Sequence, residues 1–279
     1  METVATGMSD TRNIRLLVQF DGTNFYGFQE QKTHRTVQSE LKKGLKSLCN
    51  EEVVIHTSSR TDAGVHAIAM PVNFHCHSLI PLKAFVLGMN SILPEDVKVL
   101  QADEVPLDFH ARFRAIEKTY MFLIRCGYVE LPLFRNRVWH VKKPLDVAKM
   151  DKASKYLLGT HDFTSFRAHF CDAFSPVRTI TNIQVTSERD AIIKIEVSAN
   201  GFLRNMVRII VGTLVQVGLG KWSPEYVQEI LLRKDRRIAG PTAPPSGLYL
   251  KDVRYPEDLV VFDRWPEGIL PLQELPLLL

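Results

Sequence analysis

The chain has 279 residues, of which 45% are apolar and 24% charged, with a formal charge of +4. That balance fits one large domain or two of ordinary size around a proper core, and it excludes a disordered or fibrous chain. The sequence pI near 8.8 permits a nucleic-acid partner without requiring one. Cys49, Cys76, Cys126 and Cys171 are scattered and form no CxxC pair, so reduced thiols are expected rather than a disulfide framework. His75, Cys76 and His77 can bind metals, with His66 near in sequence, but the spacing of a structural zinc site is missing, and no metal is expected. The start lacks the basic and apolar regions of a secretory signal, and the longest apolar helical stretch, 207–220, is too short to span a bilayer. The chain therefore reads as cytoplasmic, with Met8 as an alternative start that would leave 1–7 as a leader.

In chain order, 14–21 predicts a strand ended by Asp21-Gly22-Thr23-Asn24, and 25–29 an aromatic loop. Val37, Leu41, Leu45 and Leu48 recur at helical spacing over 37–49, with Thr36 as N-cap. Strands are predicted at 52–57 and 71–76, a helix with proline in its first turn at 81–91, and a strand at 97–105. The second half repeats the order: a strand at 119–126, a helix at 146–158, and strands at 180–187 and 192–198. Helices at 202–217 and 224–232 and a strand at 248–253 complete it. The fold class that follows is α/β in the α+β sense, two tandem ferredoxin-like (RRM-like) βαββαβ units sharing a mostly antiparallel sheet. The expected domains are 1–110 and 111–255, followed by a Pro- and Leu-rich tail at 256–279. With helices on one face of each sheet, the opposite faces are left to form a cleft.

Between the second and third predicted strands lies Ser58-Ser59-Arg60-Thr61-Asp62-Ala63-Gly64-Val65-His66. A charged loop aimed by strands suits chemistry, and Gly64 allows a bend closed to other residues; a solvated hairpin with a local Arg–Asp pair accounts for the spacing equally well. The bridge between the halves sets His110, Arg112 and Arg114 among Phe109 and Phe113, with Lys118 and Tyr120 just beyond. Cations interleaved with rings suit RNA, where phosphates take the charge and unstacked bases the rings, and a charged linker has the same composition. Arg204 and Arg208 open the long helix four residues apart, at an end that favours anions. Arg208 is flanked by apolar residues and needs either a partner, for which Asp62 is the candidate, or a route to the surface.

From about Arg15 to about Tyr255 the chain resembles the TruA family of transfer-RNA pseudouridine synthases. The matching stretches are Asp21-Gly22 with Tyr26-Gly27-Phe28-Gln29, the 60–66 loop, Phe109-His110-Ala111-Arg112-Phe113, Gly159-Thr160-His161-Asp162-Phe163, the 200–208 run and Gly247-Leu248-Tyr249-Leu250. Ser59 departs from the family, which usually has glycine there.

The resemblance implies a cofactor-free isomerisation of uridine to pseudouridine in the anticodon arm of tRNA, at uridines 38 to 40, by a protein that is commonly a homodimer. Asp62 would be the essential carboxylate, acting as nucleophile at C1′ or as base at the 2′ position. Arg208 would pair with it, Tyr120 would stack on the base and take the C5 proton, Arg60 would fill the space left by the flipped nucleotide, and Leu248 would line the uracil pocket. His66, His110, Arg112, Arg114, Lys118 and Arg204 are expected to contact RNA. Two other readings are an RNA-binding module without catalysis, which would not need the Asp62–Arg208 pair, and a metal-dependent hydrolase built on Asp62 and His66, which chelator would silence.

Overall fold

The computed structural model describes residues 11–169, 171, 173–257 and 259; the expected leader and nearly all of the tail lie outside them. In the first half, β1 (Arg12–Phe20), α1 (Val37–Cys49), β2 (His56–Thr57), β3 (His66–Cys76), α2 (Leu82–Ile92) and β4 (Val97–Val105) follow one another. The second half runs β5 (Glu117–Cys126), β6 (Trp139–Val141), α3 (Val147–Ser154), β7 (Gly159–Asp162), β8 (Val177–Ser187), β9 (Ile192–Ala199), α4 (Met206–Gly218), α5 (Tyr226–Arg233) and β10 (Leu248–Arg254).

Local chemistry accounts for the element ends. Thr36 caps α1 as predicted, and its partner in a reciprocal capping box is Ser39, with Val37, Leu41 and Leu45 on the buried face. Asn50, in the left-handed region at φ 57°, ends the helix. The helix expected at 202–217 starts only at Met206, because Asn205 takes φ 61° and breaks the ladder there. Arg204 therefore sits outside α4 and shares no helical face with Arg208. The helix expected at 146–158 stops at Ser154 and continues as one 3-10 turn.

All ten strands among the described residues join one sheet, whose main path is β4-β1-β3-β10-β5-β9-β8-β7. Neighbours are antiparallel except β3/β10 and β5/β6. With β6 and β7 left out of the count, each half has the same internal order: fourth strand, first, third, second. In the first half the second strand is only His56–Thr57, paired with Asn73 and Val72 near the far end of β3. The near end of that same edge carries β10, through Tyr249↔His66 and Leu250↔Ala67. The expected strand at 52–57 thus shrinks to two residues, and the one at 71–76 lengthens to begin at His66. β6 and β7 were not anticipated.

Two apolar layers cover the sheet. Leu16, Phe74, Phe122 and Leu250 meet α1, α2 and α4 in the main core. Leu17, Ile68, Met121 and Leu123 meet Phe134, Val138 and Tyr249 on the other face. That second layer corrects the expected cleft position: the face opposite the helices is partly closed by the 132–138 segment. On the helix face, α1 packs with α2 and α3 with α4, while loops 58–65 and 240–247 meet over the seam between the halves.

Candidate active site

The seam places a loop from the first half over strands of the second. Loop 58–65 leaves β2 and returns as β3, so both ends are fixed by sheet pairing. Within it, Ser58 N–H donates to Pro71 O at 3.0 Å, Val65 N–H to Asp62 O at 3.2 Å, and Gly64 N–H to Phe25 O at 3.2 Å. The aromatic loop braces it from behind, with Phe28 N–H donating to Thr61 O at 3.2 Å. Gly27, at φ 87°, permits that approach, since a Cβ there would stand 2.6 Å from Thr61 O. Gly22 is packed in the same way against Val65. Gly64 takes φ 77°, and a Cβ there would stand 3.0 Å from Pro245 Cγ, where the two seam loops meet.

Asp62 stands at the crest of this loop, its side chain about one-third exposed, with Oδ2 3.0 Å from Arg208 Nη1. Arg208 lies in the first turn of α4, and two further contacts hold it. Its Nε donates to Ala243 O at 2.7 Å and its Nη1 to Asn205 Oδ1 at 3.2 Å. The left-handed Asn205 that starts the helix therefore also steadies the guanidinium. Gly212, one turn on, admits the 240–243 strap, because a Cβ there would overlap Pro241 O. Asp62 Oδ1 accepts no hydrogen bond among the described residues and is free to face a substrate.

Tyr120 forms the floor. It lies on β5 between Leu250 of β10 and Val197 of β9, is buried, and meets Phe202 edge-on at 5.1 Å. Its hydroxyl is 2.8 Å from Ser59 Oγ. Burial pushes the phenol up to about 12; the Ser59 hydrogen bond opposes this, and the charge of Asp62 adds to it. Leu248 is buried in the same core, one β-strand repeat from Leu250. Arg60 projects into solvent and makes no ion pair among the described residues. The arrangement offers a carboxylate held by Arg208 on a loop that also contacts the buried Tyr120, with the exposed Arg60 on the same loop.

The remaining expected residues divide. Lys118 reaches the loop, donating to Ser58 O at 2.5 Å. His110 lies against His56, ring centres 4.4 Å apart, and against Phe113 at 4.3 Å. Burial lowers both their pKa values, with the charge of His75 adding to it at His56 and that of His56 at His110. Arg112 extends over Phe113, which is exposed. Arg114 pairs with Asp108 at the surface, and Arg204 is exposed, with its backbone O accepting from Ala168 N–H. His66 is a correction. It is buried, stacked on Tyr249 at 4.7 Å on the sheet's other face, with Nε2 3.2 Å from Ser246 O and Nδ1 3.0 Å from both Gly22 N and Asp21 Oδ1. It ties three segments together and offers no surface to RNA.

Asp21 completes that tie, meeting Arg137 at 2.8 Å and accepting from Thr23 N–H and Oγ1–H. Burial alone would raise its carboxyl, but the hydrogen bonds from His66 and Thr23 outweigh it and hold the group well below the usual carboxylate range. Sequence reasoning missed Ser59, Asn205 and Ala243 as site partners. Only Ser59 left a trace, as a departure from the family's glycine.

The family model described as tRNA pseudouridine synthase matches residues 16–114 and 153–256, both sides of the Asp62–Arg208 pair. The chain belongs to the tRNA pseudouridine synthase family. This synthase is 48% identical to tRNA pseudouridine synthase A 2 of Clostridium tetani (strain Massachusetts / E88) over 88% of its own length and 99% of the relative's. It is 46% identical to tRNA pseudouridine synthase A of Thermoanaerobacter sp. (strain X514), and 42% identical to that of Geotalea uraniireducens (strain Rf4). Each match covers 88% of the chain and 100% of the relative. Among solved structures, an archaeal box H/ACA Nop10–Cbf5 complex is similar over 85% of this chain and 47% of that one, at 11% identity and a TM-score of 0.33.

Proposed function

We propose that this synthase converts uridines 38 to 40 in the anticodon arm of tRNA to pseudouridine, with Asp62 as the catalytic carboxylate. The observation that carries the reading is the 3.0 Å pair between Asp62 and Arg208, on a loop whose Ser59 hydroxyl lies 2.8 Å from that of Tyr120. In the reaction the N1–C1′ bond breaks, the uracil turns, C5 bonds to C1′ and the C5 proton leaves. Arg208 holds one oxygen of Asp62 and leaves the other to begin the cleavage, either at C1′ or at the 2′ proton. Tyr120 supports the base during its rotation, and its protonated hydroxyl relays the C5 proton through Ser59 Oγ to solvent, while Leu248 lines the base's edge. Arg60 takes the space of the flipped nucleotide. His110, Arg112, Arg114, Lys118 and Arg204 border the open side and meet the RNA backbone and loop bases.

Residues 1–110 bring the catalytic loop and 111–255 its brace and floor. Two copies working together would let one tRNA touch both. The cytoplasm suits this substrate, and no helix among the described residues is long and apolar enough to cross a membrane.

Tritium release from tRNA carrying [5-³H]uridine tests the reading. Purified protein is expected to release tritium in the presence of EDTA. Asp62→Asn is expected to lower the rate by about 1,000-fold or more while tRNA binding is kept. Retained turnover in that variant would remove Asp62 from its role, and loss of activity with chelator would favour a metal-dependent hydrolase.

A further inference from the structure

Lys118 is the second residue of β5, two before Tyr120 and so on the same face of the strand. Its ammonium has one hydrogen bond among the described residues, to the carbonyl of Ser58, and no carboxylate partner. The charged groups around it are Arg112, from the bridge between the halves, and Arg178, from β8. The nearest acids on its own and the adjacent strand lie on the opposite face. Glu117 pairs there with Arg254 at 2.8 Å, and Asp252 stands across from Thr119. Opposite Lys118 itself are only Val253 of β10 and Ala199 of β9. Neither Arg112 nor Arg178 has a carboxylate partner among the described residues; Arg178 donates to the carbonyls of Ser175 and Val177.

Among the described residues the three cations have no counter-charge, which is unfavourable in the free protein, and for the half-buried Lys118 most of all. Burial, with the two arginines adding to it, lowers Lys118 to about 8. Placement gives the cluster a use. Ser58 begins the loop that carries Asp62, while the Arg178 side chain runs over Gly201, in the turn that leads to Asn205 and Arg208. The cations thus adjoin both segments that build the catalytic pair, and Arg112 opens the cluster to solvent.

We infer that Lys118, Arg112 and Arg178 form a phosphate site that holds a backbone phosphodiester of the RNA strand bearing the target uridine. The inference rests on the synthase reading above and adds Arg178 to the residues that meet RNA. The phosphodiester supplies the missing negative charge, so Lys118 stays protonated in the complex. Above pH 8 the free protein has lost that proton and must take one from solvent to bind. Affinity therefore falls as pH rises through about 8.

The test is tRNA binding to the Asp62→Asn variant, which holds substrate without turnover, followed by fluorescence anisotropy from pH 6.5 to 9.5 at fixed ionic strength. Affinity is expected to drop about tenfold per pH unit above 8, with one proton taken up per tRNA bound, read by calorimetry in buffers of different ionisation heat. Adding Lys118→Arg should flatten that pH dependence. Lys118→Met, which keeps the apolar stem, should be flat and weaker at pH 7. Arg178→Gln should weaken binding at every pH and reduce the slope of log affinity against log salt by about 0.7 to 0.9. A pH dependence that survives in both Lys118 variants overturns the inference, as does an unchanged salt slope in the Arg178 variant. Because binding is read apart from conversion, a protein that converts uridine but binds with a flat pH profile fails this inference alone. One that binds as expected yet makes no pseudouridine fails the function reading.

Discussion

The two halves of the sheet share one strand order and differ most in their second strand. In the second half that strand, β8, runs for 11 residues and pairs along β9 from Ile180 to Ser187. In the first half it is β2, two residues long. The chain that would have continued β2 leaves the sheet and becomes the loop carrying Asp62. The edge of β3 that it vacates is taken by β10, which joins the halves. One shortened strand thus supplies both the reactive loop and the seam under it. The half that kept its full strand supplies the brace: Arg208 on a helix whose first turn is tied to Asn205 and Ala243. A scaffold can carry chemistry by giving up pairing in one copy and keeping rigidity in the other.

Four substitutions break or sharpen this contrast. Arg208→Met removes the brace and keeps the stem. Its kcat is expected to fall about 100-fold or more, with about 1–2 kcal/mol of stability lost, since the pair is only partly screened by solvent. Tritium release with a urea melt reads both, and a fully active variant would show that the loop needs no brace. Gly27→Ala presses on the loop from the first half, where a Cβ would stand 2.6 Å from Thr61 O at a positive φ. A loss of about 1–3 kcal/mol is expected, with reduced kcat, and an unchanged melt would mean that the aromatic loop does not support the catalytic one.

Asp21→Asn tests the tie between the halves on the sheet's other face. The folded-state carboxyl is held below its ordinary value, so its stabilisation is complete above the ordinary carboxylate range, starts to shrink as pH falls through that range, and is lost only below the depressed folded-state value. The variant is expected to be less stable by about 2 kcal/mol at pH 7, with the gap narrower at about pH 3 and closing only below it. A gap that is the same at both pH values would deny the charge any part. Ser58→Ala should change least. The Ser58 hydroxyl is buried and meets no hydrogen-bonding partner among the described residues, so its removal is expected to leave stability unchanged within about 0.5 kcal/mol or raise it slightly. A loss above about 1 kcal/mol would reveal a partner for that hydroxyl.

How much of this was legible in the sequence follows from how local each signal is. The span of β4 matches the expectation at 97–105, and α1 matches at 37–49, because apolar period and cap lie within one element. The 52–57 run misled for a physical reason. Val53 and Ile55 are buried and Val54 is exposed, so the run alternates as a strand does. Alternation reports which side is buried, however, and not whether a neighbouring strand is there to pair with. The candidate site was legible as a set of residue types on motifs, including the Asp62–Arg208 pair. Ser59 against Tyr120 and Asn205 on Arg208 were not, since both depend on where one atom of a loop comes to rest. His66 was misassigned because its motif lies in a loop, while the residue itself is the first of a strand buried on both faces.

The seam also has a consequence for how the molecule is made. His66 and Ser246 touch across 180 residues of sequence, and β10, the last of the described strands, is an interior strand of the sheet. As the chain emerges from a ribosome, α1, α2 and the first four strands can collapse early, with the near edge of β3 still open. That edge is apolar on both faces and stays a template for stray pairing until the final strand arrives to cover it. Such a long-range closure is slow. A nascent chain arrested after β9 should therefore bind chaperones or aggregate, and release of the last strand should act as the switch from sticky intermediate to soluble product.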